Sequence, residues 1–143
     1  MINDNLTLTG AVSIAVNDEV VKEIPNLVVT TGKNFVSSRM KDTTKAAMTH
    51  MAVGTGSTTA VAADTTLETE LDRNALTSTT VTTNSIAYVC TWAAGDGTGA
   101  IIEAGLFNAS SGGDMLCRTV FSSGVVNKGS ADSMTITWTI TVS

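Results

Sequence analysis

Apolar and polar residues alternate with a period of two along most of this chain, the pattern of strands that bury one face and expose the other. Leu6, Leu8, Val12, Ile14 and Val16 alternate with Thr7, Thr9, Ala11, Ser13 and Ala15, with Gly10 filling the apolar register. Asn17-Asp18 is a turn pair, and residues 19–24 read as the returning arm of a hairpin that ends at Pro25, the single proline. Residues 27–31 are extended. Phe35, Val36 and Met40 then share a helical face opposite Lys33, Arg39 and Lys41, predicting one short helix near residues 33–42, after Thr31-Gly32.

Alternation returns at residues 48–53 and stops at Gly54-Thr55-Gly56-Ser57. Residues 54–66 lack periodicity and read as a surface loop. Asp64 is placed to cap a short helical turn carrying Leu67 and Leu71, with Glu68 and Glu70 outward and Arg73 near enough to pair with one of them. Further strands are predicted at 76–83, 85–93, 100–107, 115–122 and 134–143, the middle three separated by Gly-rich turns. In the last, Met134, Ile136, Trp138, Ile140 and Val142 alternate without fault with Thr135, Thr137, Thr139, Thr141 and Ser143. Threonine suits the outward face, because its branched Cβ favours extended backbone and its hydroxyl tolerates water. About eight strands and one helix give an all-β fold, a two-sheet β-sandwich of jelly-roll or immunoglobulin-like size. A length of 143 residues, without a linker or repeat, makes it one domain, with residues 1–16 an assembly arm or edge hairpin. The closing strand offers an uncharged edge suited to packing beside copies of itself.

Composition adds that much of the surface is neutral. The chain is 43% hydrophobic but only 4% aromatic and 15% charged, so subunit contacts are expected to cover part of it. With a net charge of −5 and eight scattered Lys and Arg residues, nucleic acid is not an expected partner. No apolar run approaches the ~20 residues of a membrane helix, and the N-terminus lacks the pattern of a signal peptide.

Candidate chemistry is thin. Gly54-Thr55-Gly56-Ser57-Thr58 lacks the lysine that ends a phosphate loop. His50, the single histidine, could act as a base with Ser57 or Ser110 and Asp64, but no nucleophile-elbow motif supports that trio. Asp96 and Asp114 lie in Gly-rich turns without a second nearby acid, so no calcium site is expected. Tyr88, Trp92 and Trp138 could stack on a sugar, yet their register points them into the core. Cys90 and Cys117 read as buried free thiols. The chain is therefore expected to be non-enzymatic, with no cofactor and no metal.

Two segments carry a specific likeness. Met51-Ala52-Val53-Gly54-Thr55-Gly56, followed by Asp64-Thr65-Thr66-Leu67-Glu68-Thr69-Glu70-Leu71 and Arg73, resembles a "VGTG … T-x-L-x-x-E-x-x-R" pattern of small structural proteins of tailed bacteriophages. The same pattern is found in the first module of phage tail-collar fibre proteins. Ile102-Glu103-Ala104-Gly105-Leu106-Phe107-Asn108 is similar to their "EAG(I/L)F" strand, and residues 115–121, 126–129 and the closing strand extend the likeness over roughly residues 27–143. The resemblance implies a virion structural protein. Because the chain stops at Ser143 with no coiled-coil extension, a capsid decoration (cement) protein is expected, contacting the major capsid protein and copies of itself. A tail or collar-fibre adaptor is the alternative, and a carbohydrate-binding attachment module the second. Such a protein would be made in the host bacterial cytoplasm and end in the virion. Leu6, Leu8, Gly54, Thr55, Gly56, Glu103, Gly105 and Arg118 are the candidate interaction residues. Glu103 and Arg118 are also expected to meet across a hairpin, with Gly105 allowing a bulge or a close backbone approach.

Overall fold

The computed structural model describes residues 4–41, 45–121 and 124–143. Twelve strands and one helix follow in order: β1 (Leu8–Val16), β2 (Glu19–Pro25), β3 (Leu27–Val28), α1 (Thr30–Arg39), β4 (His50–Gly54), β5 (Glu70–Ala75), β6 (Ser78–Thr82), β7 (Ser85–Trp92), β8 (Gly99–Ile101), β9 (Glu103–Phe107), β10 (Met115–Val120), β11 (Val126–Lys128) and β12 (Met134–Val142). One sheet runs β2-β1-β12-β7-β6, a second β3-β10-β9-β4-β5, and β11-β8 form a small third. The all-β sandwich read from the sequence is the observed architecture.

The β1–β2 hairpin turns at Asn17 and Asp18, whose φ angles of 51° and 65° match the right-handed twist of the flanking strands. Asn17 holds the turn from outside, since its Oδ1 accepts from the backbone N–H of Ser133 and its Nδ2 donates to Asp132. Residues 8–16 are thus part of a hairpin at the sheet's margin, but β1 itself is interior. It pairs on one side with β2 and on the other with β12 over nine residues. The closing strand β12 is central too, bonded to β1 and β7, and offers no free edge.

The core fills the space between the two large sheets. Val12, Ile14, Tyr88, Cys90, Trp92, Ile136 and Trp138 come from the first sheet, and Met51, Val53, Ala104, Leu106 and Cys117 from the second. The first sheet alternates as its sequence does, and Thr135, Thr137, Thr139 and Thr141 lie on its outer face. The second sheet does not alternate, because β4, β9 and β10 are buried almost throughout. Its far face carries a second cluster of Val29, Ala52, Leu67, Phe107 and Met115. Leu67 belongs to the segment between β4 and β5, so that segment covers the sheet.

Several elements differ from the sequence reading. The helix begins at Thr30, and Gly32 lies inside it instead of preceding it. A Cβ at Gly32 would sit 2.0 Å from the carbonyl oxygen of Leu116, so glycine here is what lets α1 lie against β10. No helical turn follows Asp64. Glu70–Ala75 is strand β5 instead, so Leu67 is buried and Leu71 exposed. The expected strand at 100–107 is two, broken at Ile102, whose N–H donates to Gly54 O. Strand β11 was not expected.

Candidate functional site

The densest polar constellation lies on the far face of the second sheet. Glu103, at the start of β9, is fully buried, and its carboxylate is saturated. Oε1 accepts from the backbone N–H of Gly56 at 3.1 Å and of Thr69 at 2.8 Å. Oε2 accepts from the N–H of Glu68 at 3.0 Å and from Nε and Nη2 of Arg118 at 3.1 and 2.9 Å. Both guanidinium bonds converge on this one oxygen, which leaves Oε1 to the backbone of the covering segment.

Arg118, on β10, is 2% exposed and directs two further hydrogen bonds to the same loop. Nη1 donates to Asp64 Oδ2 at 2.8 Å, and Nη2 also donates to Thr58 O at 3.0 Å. Asp64 Oδ2 accepts in addition from the N–H of Val61, closing a local turn in place of the helix cap expected there. Further out, Glu68 accepts from the N–H of Thr58. That bond is the main cause of a Glu68 pKa below the ordinary carboxylate value. The β9–β10 hairpin makes the Glu103–Arg118 meeting possible. Arg118 pairs with Gly105 and Val120 with Glu103, so the two side chains are diagonal neighbours on one face.

The glycines of the 54–56 segment have a specific reason. A Cβ at Gly54 would sit 2.3 Å from Thr69 O, and one at Gly56 would meet Glu103 Oε1 at 2.6 Å. Only glycine lets the backbone come this close to the buried carboxylate. At Gly105 the close approach is by side chains, Leu67 at 3.0 Å and Phe107 at 3.1 Å, and the neighbouring bulge falls on β10 between Met115 and Cys117.

A second clamp lies one strand away. Arg73 bonds Glu70 through Nε and Nη2, donates to the carbonyls of Ala109 and Gly112 at 3.0 Å each, and stacks its guanidinium 3.7 Å from the Phe107 ring centroid. The Glu70 pairing was legible from spacing. The ties to residues 109 and 112 were not, because they need the fold to bring that turn beside β5.

The candidate interaction residues divide accordingly. Gly54, Gly56, Glu103, Gly105 and Arg118 are brought together, but in the interior, so they brace the fold and present nothing to a neighbour. Thr55 is exposed between them. Leu6 is 70% exposed and Leu8 half-buried, at the start of β1 and apart from this network. His50 shares a contact with Thr49 Oγ1 and sits four residues along β4 from Gly54, about 13 Å at strand rise. Asp64 is engaged by Arg118 and the Val61 N–H, so it does not orient His50 toward Ser57 or Ser110. Asp114 Oδ2 accepts from Lys45, and no cluster of three or more metal-ligating side chains occurs among the described residues. Tyr88, Trp92 and Trp138 are core residues, so they offer no face to a sugar. Cys90 and Cys117 are buried free thiols, and burial pushes the Cys90 pKa up to about 12 and that of Cys117 well above its ordinary value.

No family model, curated protein or solved structure matches the chain. The geometry itself defines an all-β sandwich whose long inter-strand segment is fastened to one sheet by a buried carboxylate and guanidinium.

Proposed function

We propose that this protein is a non-enzymatic structural component of a bacteriophage particle, a capsid decoration (cement) protein binding the major capsid protein and copies of itself. The observation that carries the reading is where the phage-like blocks fall. Residues 51–56, 64–73, 102–108 and 115–121 are separate in sequence, yet they supply Gly56, Asp64, Glu68, Thr69, Glu103 and Arg118 to one network. The likeness thus follows a three-dimensional unit, as a likeness of fold does, and a set of unconnected short matches does not. The neutral outer face of the first sheet also favours dense packing beside neighbours. Thr9, Ala11, Ser13 and Ala15 of β1, the four threonines of β12, and Ser85, Ala87, Val89 and Thr91 of β7 line up across it without a charge.

The test is addition of purified protein to expanded phage heads that lack it. Saturable binding at a copy number proportional to the capsid protein, with greater resistance of the heads to heat, is the expected result. No binding to heads, with capture of a fibre N-terminus instead, would move the protein to the tail.

A further inference from the structure

The two five-stranded sheets end on four outer strands, and three of these are defended against pairing with another chain. β2 carries Glu19, Lys22, Glu23 and Pro25, with a register irregularity between Ile14 and Ala15 of its partner. β3 is only two residues long. β5 carries Glu70, Asp72 and Arg73, and its ladder is irregular at Val53/Gly54. Charges, proline, bulges and short length are the usual means by which soluble β proteins keep their edges apart.

β6 has none of them. Its sequence is Ser78-Thr79-Thr80-Val81-Thr82, all five residues are exposed, and its ladder to β7 is regular from Ser78↔Val89 to Thr82↔Ser85. Val81 is 71% exposed although it continues the core-facing row of Ile86 and Ile140. Of the four outer strands, β6 alone is long, uncharged and regular.

We propose that β6 is a self-pairing edge, which joins antiparallel to β6 of a second copy about a two-fold axis through Thr80. The occupant follows from the strand's symmetry and charge. In a two-residue hairpin the closing pair, here Thr82 and Ser85, is hydrogen-bonded, so Thr79 and Val81 turn their N–H and C=O groups outward. Pairing Thr79 of each copy with Val81 of the other satisfies all of these groups, and no like charges meet. The two first sheets become one sheet of twice the width, continuing the neutral hydroxyl face across the junction. An edge of five residues buries much less than the ~800 Å² per partner of a stable isolated interface. The pairing is therefore weak between free molecules and becomes strong where other contacts hold the copies side by side. It does not depend on the phage reading.

A disulfide trap tests this. About the proposed axis the two Thr80 side chains are directly opposed, with Cβ atoms about 4.5–5.5 Å apart, near the range a disulfide bridges. Thr82 faces Ser78 of the second copy, so two Thr82 side chains lie more than about 13 Å apart. Cys90 and Cys117 are buried and give no background reaction. Under mild oxidation at high protein concentration, Thr80→Cys is expected to form a disulfide dimer at least tenfold faster than Thr82→Cys. Adding Val81→Lys to the Thr80→Cys chain should remove that advantage while circular dichroism stays unchanged. Equal rates for the two cysteine variants, or a Thr80→Cys dimer indifferent to Val81→Lys, would overturn the proposal. Head binding by Val81→Lys is read separately, so loss of self-pairing and loss of capsid affinity are distinguishable.

Discussion

Replacing Glu103 by alanine is expected to be among the costliest single changes in this protein, and its magnitude can be worked from the network. The substitution leaves the Arg118 guanidinium, 2% exposed, with Asp64 and Thr58 O as its remaining acceptors. Breaking a buried ion pair from one side costs about 3–5 kcal/mol. The N–H of Gly56 also loses its acceptor in a buried position, a further ~1–3 kcal/mol. The N–H groups of Glu68 and Thr69 are only partly buried, and water replaces the carboxylate there at little cost. The sum is about 4–8 kcal/mol, much of the whole stability of an ordinary domain. At this chain length it lowers Tm by about 13–27 °C.

Urea unfolding followed by the fluorescence of Trp92 and Trp138, both in the core, measures the loss. Glu103→Gln keeps the shape but turns an NH2 group toward donors whichever way the amide lies, so it should cost about 2–4 kcal/mol. Asp64→Ala should cost less, because Asp64 is partly exposed and Arg118 keeps Glu103. Hydrogen exchange should show residues 55–69 losing protection in Glu103→Ala well before the strands do. A loss under ~1 kcal/mol for Glu103→Ala, with that segment still protected, would refute the view that this carboxylate fastens it.

Arg73→Lys should destabilise by about 2–3 kcal/mol, since an ammonium cannot serve Glu70, two carbonyls and the Phe107 face together; nuclear magnetic resonance should show the 108–114 turn loosened. Both thiols should resist Ellman's reagent at neutral pH in the native state and react once the protein is unfolded in urea; fast reaction of either in buffer would contradict their burial. Glu68 and Asp132 have lowered pKa values, from the Thr58 backbone bond and the Asn17 side-chain bond respectively. Their contribution is present above the ordinary carboxylate range and lost as pH falls through the lowered values, and Asp132→Asn should flatten part of that acid limb in a melting-temperature series. Tyr88, pushed up to about 12 by burial, adds stability that is full below its unfolded value and lost as pH rises through the folded one, so Tyr88→Phe should gain relative stability in alkali.

The period-two pattern served well where it matches its physical cause, a sheet with one wet face. β1, β7 and β12 were read from alternation, and the Asn17-Asp18 turn from its residue types. It served poorly where both faces are covered. β9 reads Glu-Ala-Gly-Leu-Phe and is buried throughout, so its carboxylate and glycine looked like surface features placed in an apolar strand. β5 reads Glu-Leu-Asp-Arg-Asn-Ala, and the i, i+4 spacing of Leu67 and Leu71 imitated a helix across its start. Local spacing carries no information about the Ala52–Arg73 register that pulls this segment into the sheet.

The same distinction changes what the phage-like blocks mean physically. As linear motifs they supplied candidate interaction residues, alongside the reading of Glu103 and Arg118 as a structural pair that fixes register. Their side chains instead close on each other, with every Glu103 and Arg118 hydrogen bond directed to the chain's own backbone or carboxylates. A segment without regular secondary structure cannot hold its own backbone groups, and covering a sheet with it leaves N–H donors facing an apolar surface. The Glu103 carboxylate accepts from three of them and from Arg118, which in turn donates to Thr58 O and Asp64. Under the proposed structural role, contacts with neighbours would fall on what the network leaves outside: the neutral face of β1, β12 and β7, and the undefended strand β6 beside it.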